Sequence, residues 1–580
     1  MSEQTTPTIS YTLSFTEPQA HYVEVSLSLK GFSADFIDLK MPVWTPGSYL
    51  VREFARHVES FSAQQDNGET VRQEKISKNT WRIYHPQKDT TVRYRIYGFE
   101  TSVRTNFIDD THAFISPAGT FLYVDGHLDL PCTVQVELPQ NWSTITTGLP
   151  EIDQHTYEAE NFDILFDSPI EIGNQDVWHF EAEGIPHEFA MVGGGNYNKE
   201  QLAADIQKIV AEETRIWGSN PNDRYVFITH NYQQGAGGLE HLNSTVLGAS
   251  RNGYTQAASY NNFLSLVAHE YFHLWHVKRL RPAPLGPFDY ENENYTALLW
   301  IMEGFTSYYD NLITYRCSFR DEVDYLQMLA QEFNLVYNRP GYEIQSVGQS
   351  SFDTWIKQYR PDENSANTSI SYYNKGAMLA VAMDLKIIAE TGGKKRMDDV
   401  LKAAYNQFYL KEQRGFAEKE FQDLAEAVSG VDLSEIFAAV YTTEELDYNS
   451  YFNPVGYELI DQLADSKTLS LGIRTANNDT RIYIKGVDRN SSAWKAGLNV
   501  NDEILGINGV RMDPAGRELE IAIQQGTFGQ SIDVLIARDG IIRTISTPLS
   551  YSEKKSLVVQ RRENASDQER ELGKVWLKRS

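Results

Sequence analysis

Apolar and polar residues alternate singly through the first third of the chain. The stretches ISYTLSF, HYVEVSLSL, TWRIYH, TVRYRIYGF and CTVQVEL place apolar side chains at every second position, with Gly, Asn, Asp and Pro between them. A period of two predicts half-buried strands, so the region from about Ile9 to Asp167 is expected to be an antiparallel β domain. Near Lys199 the spacing lengthens to three and four in LAADIQKIVAEETRIW, which predicts an amphipathic helix. A strand, RYVFITH, is expected at 224–230, and helical spacing then dominates from Asn261 to about Val440, as in VDYLQMLAQEFNLVY and MDDVLKAAYNQFYL. After Tyr448 short strands return in LSLGIRT, RIYIKGV, DEILGING and SIDVLIAR, with one short helix, ELEIAIQQ, between two of them. Residues 551–580 carry many charges and little periodicity apart from VWL near their end.

Length and charge narrow the possibilities. At about 150 residues per domain, 580 residues predict three or four domains. Lys and Arg total 52 against 79 Asp and Glu, a formal charge of −27 that disfavours nucleic acid and anionic membrane as partners. A hydrophobic fraction of 41% with 12% aromatics excludes a disordered solvating chain. Two cysteines, Cys132 and Cys317, supply neither a disulfide framework nor a Cys-based metal site. MSEQTTPTIS lacks the basic and apolar regions of a secretory signal, and apolar runs such as Ala297 to Met302 fall far short of the ~20 residues of a spanning helix. The expectation is a soluble, cytoplasmic chain.

The chemistry concentrates in SLVAHEYFHLWHVKRLRP. Apolar residues at Phe263, Leu264, Leu266, Val267, Phe272 and Leu274 predict a helix through it, with His269 and His273 one turn apart on one face. Two imidazoles at that spacing can hold one Zn²⁺, with Glu270 beside them as a proton acceptor for water. Three fixed residues in five recur by chance, so a third ligand is needed. Glu303 sits behind Leu298, Leu299, Trp300, Ile301 and Met302, where a carboxylate is costly unless paired or metal-bound. Glu293, twenty positions after His273, competes for the role, but its setting DYENENYT is polar. His276, at i+7 from His269, is expected to be a supporting or core histidine. GAGGLEHLN offers Gly237 and Gly238, which let backbone approach a ligand, then Glu240, whose carboxylate suits a positive α-amino group. Tyr373 in SYYNKGAML stands just ahead of a helix, where a phenol can donate to an oxyanion.

These segments together resemble the gluzincin metallopeptidases. HEYFH, EGFTSYY, GGLEH and YNKG are similar to elements of aminopeptidase N, and the whole is closer to the glycyl aminopeptidase family that carries a PDZ domain. WTPGSYLVREFARHV and HLWHVKRLRP look like that family's signatures, so the resemblance runs to about residue 550. It implies a multidomain α+β protein: an N-terminal antiparallel β domain (1–170), a thermolysin-like, mainly α-helical zinc peptidase domain (171–448), a C-terminal PDZ domain (455–550) and a charged C-terminal tail (551–580). It also implies one Zn²⁺ per chain held by His269, His273 and Glu303, Glu270 as general base and then acid, Tyr373 at the oxyanion, and Glu240 with Gly237 and Gly238 at the substrate N-terminus. Leu471, Gly472 and Ile473 would form the PDZ carboxylate loop for a C-terminal peptide ligand. Two departures from aminopeptidase N stand out. The interval from His273 to Glu303 leaves 29 residues instead of 18, as if residues 281–292 were inserted, and the loop reads Leu-Glu-His in place of Met-Glu-Asn. Asn501-Asp502 also replaces the usual Gly-Asp of the PDZ turn.

The resulting expectation is a zinc aminopeptidase that removes small N-terminal residues, Gly or Ala, from peptides. An endopeptidase with PDZ-tethered substrates and an inactive PDZ-bearing scaffold are the alternatives. The β domain shows no chemistry of its own and is expected to wall one side of the cleft.

Overall fold

The computed structural model describes residues 7–32, 34–86, 89–478 and 480–579. The alternating N-terminal segments form a seven-stranded sheet and two four-stranded sheets. Strand Tyr22–Lys30 shows why: Val23, Val25, Leu27 and Leu29 turn inward together, and their polar neighbours face outward. The large sheet is antiparallel except where Thr8–Ser14 runs parallel to Cys132–Val136.

The catalytic region is built on a sheet as well as on helices. Five strands lie in the order Asp176–Ala182, Ile185–Val192, Tyr225–Tyr232, Ser244–Ser250, Gly238–Glu240, the three inner strands mutually parallel. Gly238–Glu240 is an edge strand, antiparallel to Ser244–Ser250. Helix Lys199–Trp217 begins where the Asn198 side chain accepts from the Gln201 N–H and ends at Gly218, whose φ of 91° suits glycine. Helices Ala257–Phe272, Leu299–Arg316 and Tyr372–Glu390 form the body of this region. The last two cross at a glycine pair. A Cβ on Gly304 would lie 2.4 Å from Gly376 Cα, and one on Gly376 would lie 2.4 Å from the Trp300 carbonyl oxygen.

The two domains share a broad seam. Residues 281–292 pack onto the β domain: Tyr290 is buried in its core and donates to Asp163, and Trp44 donates to the Asp289 carbonyl. Val43, Trp44 and Tyr49 in turn join the catalytic core. Glu171, fully buried at this seam, accepts from His112 of the β domain at 2.7 Å and from His230 of the catalytic sheet at 2.9 Å.

The PDZ-like strands and helix Arg517–Gln524 enclose a separate small core. Residues 557–579, within the stretch expected as a tail, are instead folded onto the catalytic region. Strand Leu557–Arg561 pairs antiparallel with Tyr457–Asp461, so the small domain is an insertion on a two-stranded stem. Helix Asp567–Trp576 follows, its Ser566 and Glu569 side chains closing a capping box. Trp576 is wholly buried against Tyr325, Phe452 and Tyr457 and donates to the Tyr308 hydroxyl. Alternating charge hid this apolar face from a reading of periodicity. Three asparagines clamp the returning chain and the inserted domain. Asn334 and Asn338 each exchange two hydrogen bonds with the backbone of Leu557 and Lys555, and Asn367 does the same for Val487 and Arg489.

Candidate metal centre

Helix Ala257–Phe272 carries His269 inside its last turn, while His273 stands at its C-cap, still in helical conformation (φ −64°, ψ −19°). The helix is one residue shorter than His273 would need to lie inside it, yet the one-turn stacking of the two rings survives. Their centroids are 4.8 Å apart. Glu303 reaches them from the crossing helix Leu299–Arg316, with Oε2 at 3.5 Å from His269 Nε2 and 3.3 Å from His273 Nε2. Glu293 is part-exposed in the preceding loop and belongs to neither group of clustered ligand atoms among the described residues.

The imidazoles are held from behind. His269 Nδ1 donates to Asp310 Oδ2 at 2.9 Å, and His273 Nδ1 donates to the His276 carbonyl at 2.7 Å. In the neutral rings a metal needs, this leaves each Nε2 lone pair directed toward Glu303. Asp310 follows Glu303 by two helical turns, which puts both carboxylates on the face that meets the histidines. His276 itself is fully buried and kept neutral, its pKa lowered to about 3 by burial.

Donor chemistry and spacing suit zinc. Bonds of ~2.0–2.1 Å to a tetrahedral ion place two donors about 3.3–3.4 Å apart. The 3.3 and 3.5 Å separations match, and all three donor atoms lie within 4.8 Å of one another. The Glu303 carboxyl is raised by burial but lowered more by the two histidines, so it is ionised, as a ligand must be.

Glu270 lies beside this triad. Its pKa is raised to about 7, chiefly by burial, against the opposing pull of His269 and His273. Its Oε2 is buried with no protein partner. Edge strand Gly238–Glu240 runs directly over it: a Cβ on Gly238 would sit 2.2 Å from Glu270 Oε1 and would displace that carboxylate. Glu240, Glu270 and His273 also offer ligand atoms within 4.8 Å of one another, and Glu240 Oε1 is buried without a partner. Gly47 of the β domain packs against the Glu240 carboxylate, 2.5 Å from Oε1 by the same measure. Tyr373, at the start of helix Tyr372–Glu390, lines the same cavity of about 380 Å³ and meets the Tyr359 hydroxyl at 3.1 Å. Burial and the Glu303 charge hold its phenol well above the ordinary value, so it remains a proton donor.

The fold thus gathers His269, Glu270, His273, Glu303, Tyr373, Glu240, Gly237 and Gly238 around one cavity. Asp310, Gly47 and Arg104 line it too and were not singled out from sequence. Asp310 had a signal in its seven-residue spacing from Glu303. Gly47 lies in WTPGSYLVREFARHV, which carried the family resemblance without pointing to a cavity, and Arg104 of the β domain had no signal. The PDZ loop lies elsewhere: Leu471 is in the small core, Gly472 has φ 76° and its N–H donates to Ser470 Oγ at 2.9 Å, and Ile473 begins an edge strand.

A histidine pair on one helix and a glutamate on the next, beneath the edge of a mixed sheet, define a zinc metallopeptidase of the gluzincin type. Residues 10–174 match the peptidase M61 N-terminal domain, residues 262–379 the M61 glycyl aminopeptidase and residues 470–549 the PDZ domain. The chain belongs to the M61 glycyl aminopeptidase family and carries a PDZ domain. A crystal structure of an aminopeptidase N family protein from Idiomarina loihiensis is similar over 98% of this chain and 100% of that one, at 29% identity and a TM-score of 0.91. An M1 zinc metallopeptidase from Deinococcus radiodurans is a distant likeness, with 14% identity, a TM-score of 0.48 and coverage of 76% of this chain and 96% of that one. The carboxy-terminal processing protease CtpB of Bacillus subtilis (strain 168) is 32% identical over 108 residues, which are 18% of this chain and 22% of that protein. The match thus spans about a fifth of that curated relative.

Proposed function

We propose that the protein is a zinc aminopeptidase that removes small N-terminal residues, Gly or Ala, from peptides. One zinc per chain is held by His269, His273 and Glu303. When bound, zinc supplies a Lewis acid that acidifies water and polarises a carbonyl. Glu270, with a pKa of about 7, takes the proton from the attacking water and returns it to the leaving amine. Tyr373 donates its phenolic hydrogen to the carbonyl oxygen as that oxygen gains charge. Glu240 receives the free α-ammonium, with Gly237 and Gly238 leaving room for the substrate backbone. The observation that carries this reading is the buried, unpartnered Oε1 of Glu240 in the same cavity as Glu270 and the two histidines. A buried carboxylate there gives a free N-terminus a reason to bind where an internal peptide segment has none. The small-residue preference rests on the family's glycyl character. The PDZ carboxylate loop, Leu471, Gly472 and Ile473, takes a peptide C-terminus.

The test pairs metal analysis with hydrolysis of Gly- and Ala-arylamides, with and without N-acetylation. One zinc per chain, and turnover of free-amine substrates alone, is the expected result. His269→Ala and Glu303→Ala proteins should lose both zinc and activity. Equal turnover of N-acetylated peptides would replace this reading with an endopeptidase. A zinc-free protein that binds C-terminal peptides without turnover would replace it with a scaffold.

A further inference from the structure

The cavity contains Glu240, Glu270, Glu303 and Asp310, but its only Lys or Arg side chain is Arg104, contributed by the β domain. One guanidinium nitrogen, Nη2, donates to the Gly238 carbonyl at 2.9 Å, and Nε is buried without a partner. Among the described residues, no carboxylate lies within 4.0 Å of Arg104 or of Arg52 beside it. The Arg52 guanidinium is held low by burial and by the Arg104 charge, against a weaker opposite pull from Glu100. Arg52, whose guanidinium donates to Ser48 Oγ, lies outside the cavity lining, so Arg104 is the cation on this wall and, among the described residues, has no carboxylate paired with it. Such a fork of donors matches a carboxylate.

Backbone direction says which part of a substrate meets it. Successive strand residues turn their polar groups to opposite sides. The Gly237 carbonyl accepts from Gly248 within the sheet, whereas the Gly238 carbonyl faces the free edge, where Arg104 caps it. Beyond Glu240 the path is closed, because Asp167 binds His241 Nδ1 and the Leu242 N–H. A substrate with its amine at Glu240 must therefore run back along the edge, past Glu270 over Gly238, toward Arg104. Two residues of strand cover ~6.6 Å, comparable to the span of a dipeptide. We infer that Arg104 is a binding subsite for a substrate carboxylate downstream of the scissile bond, so that the preferred substrates are short peptides with a free C-terminus.

The inference rests on the aminopeptidase reading, and two measurements separate their fates. In the zinc-loaded protein, kcat/KM for Ala-Ala should exceed that for Ala-Ala-amide roughly 10- to 100-fold, the worth of a charge-assisted hydrogen bond. Arg104→Gln should bring the ratio near one, and Arg104→Lys should restore part of it. Ala-Glu-amide distinguishes a side-chain carboxylate from a chain terminus: equality with Ala-Ala-amide assigns the site to the terminus, and equality with Ala-Ala extends it to acidic side chains. Calorimetric binding of the same peptides to zinc-loaded Glu270→Gln protein reads the ratio without turnover. Failure of every peptide to be hydrolysed would sink the aminopeptidase reading, while the binding ratio still decides the subsite. A ratio near one in wild-type protein by both measurements, or a ratio unmoved in a folded Arg104→Gln protein, overturns the inference. Should the Gln variant not fold, the wild-type ratios decide.

Discussion

Asp310 holds His269 from behind and so fixes which nitrogen of that ring is free to bind metal. Its Oδ2 accepts from His269 Nδ1, and its Oδ1 is buried with no partner. Removing such a carboxylate releases the ring to rotate and lowers the basicity of the coordinating nitrogen. Asp310→Ala is therefore expected to weaken zinc binding roughly 10- to 100-fold, measured by competition with a chromogenic chelator. His273, whose Nδ1 is held by a backbone carbonyl, offers no side chain to delete for the same purpose. The histidines and Glu303 were legible in sequence because a helical repeat and an apolar setting are local properties. Arg104 was not, since nothing in its own segment points toward a cavity assembled largely by residues 237–373, and Gly47 was visible only as part of the WTPGSYL signature.

Among the elements, the crossing of helices Leu299–Arg316 and Tyr372–Glu390 sets the distance between Glu303 and Tyr373. Gly304 adjoins Glu303, and Gly376 lies one turn after Tyr373. Both glycines face backbone, so a side chain at either cannot be accommodated by rotating a neighbour. Gly304→Val is expected to destabilise the protein by ~1–3 kcal/mol, the usual range for overpacking. It should also reduce zinc retention while leaving every residue of the site in place, as thermal melts and metal analysis on dialysed protein would show. Most strands and helices could be read from their periods. The close approach of two helices could not, because GFTSYY and NKGAML show two glycines without showing that they meet.

For the molecule as a whole, the two-stranded stem separates two ways of removing the PDZ domain. Replacing residues 463–555 by Asn-Gly would join Gln462 to Ser556, which already face each other across the stem, with a two-residue hairpin turn. That protein should keep its catalytic fold and its thermal transition. Ending the chain at residue 550 removes strand Leu557–Arg561 and helix Asp567–Trp576, including a wholly buried tryptophan. Loss of the Trp576 side chain alone costs ~3–5 kcal/mol, so the truncated protein should unfold or aggregate when compared by calorimetry and gel filtration. A stable truncated protein would show that the returning segment is dispensable. The capping box Ser566 to Glu569 and the VWL near the chain's end were the sequence signals of that helix, and both lay in the stretch that charge had marked as a tail.

The returning segment also imposes an order in time. Chains grow from the N-terminus and domains fold as they emerge. Here the catalytic core waits for Trp576, which is translated after the entire PDZ insertion. Until then the Glu303 helix lacks the partner that donates to Tyr308. A nascent chain is therefore expected to complete the packing around Tyr308 only after the inserted domain has been made.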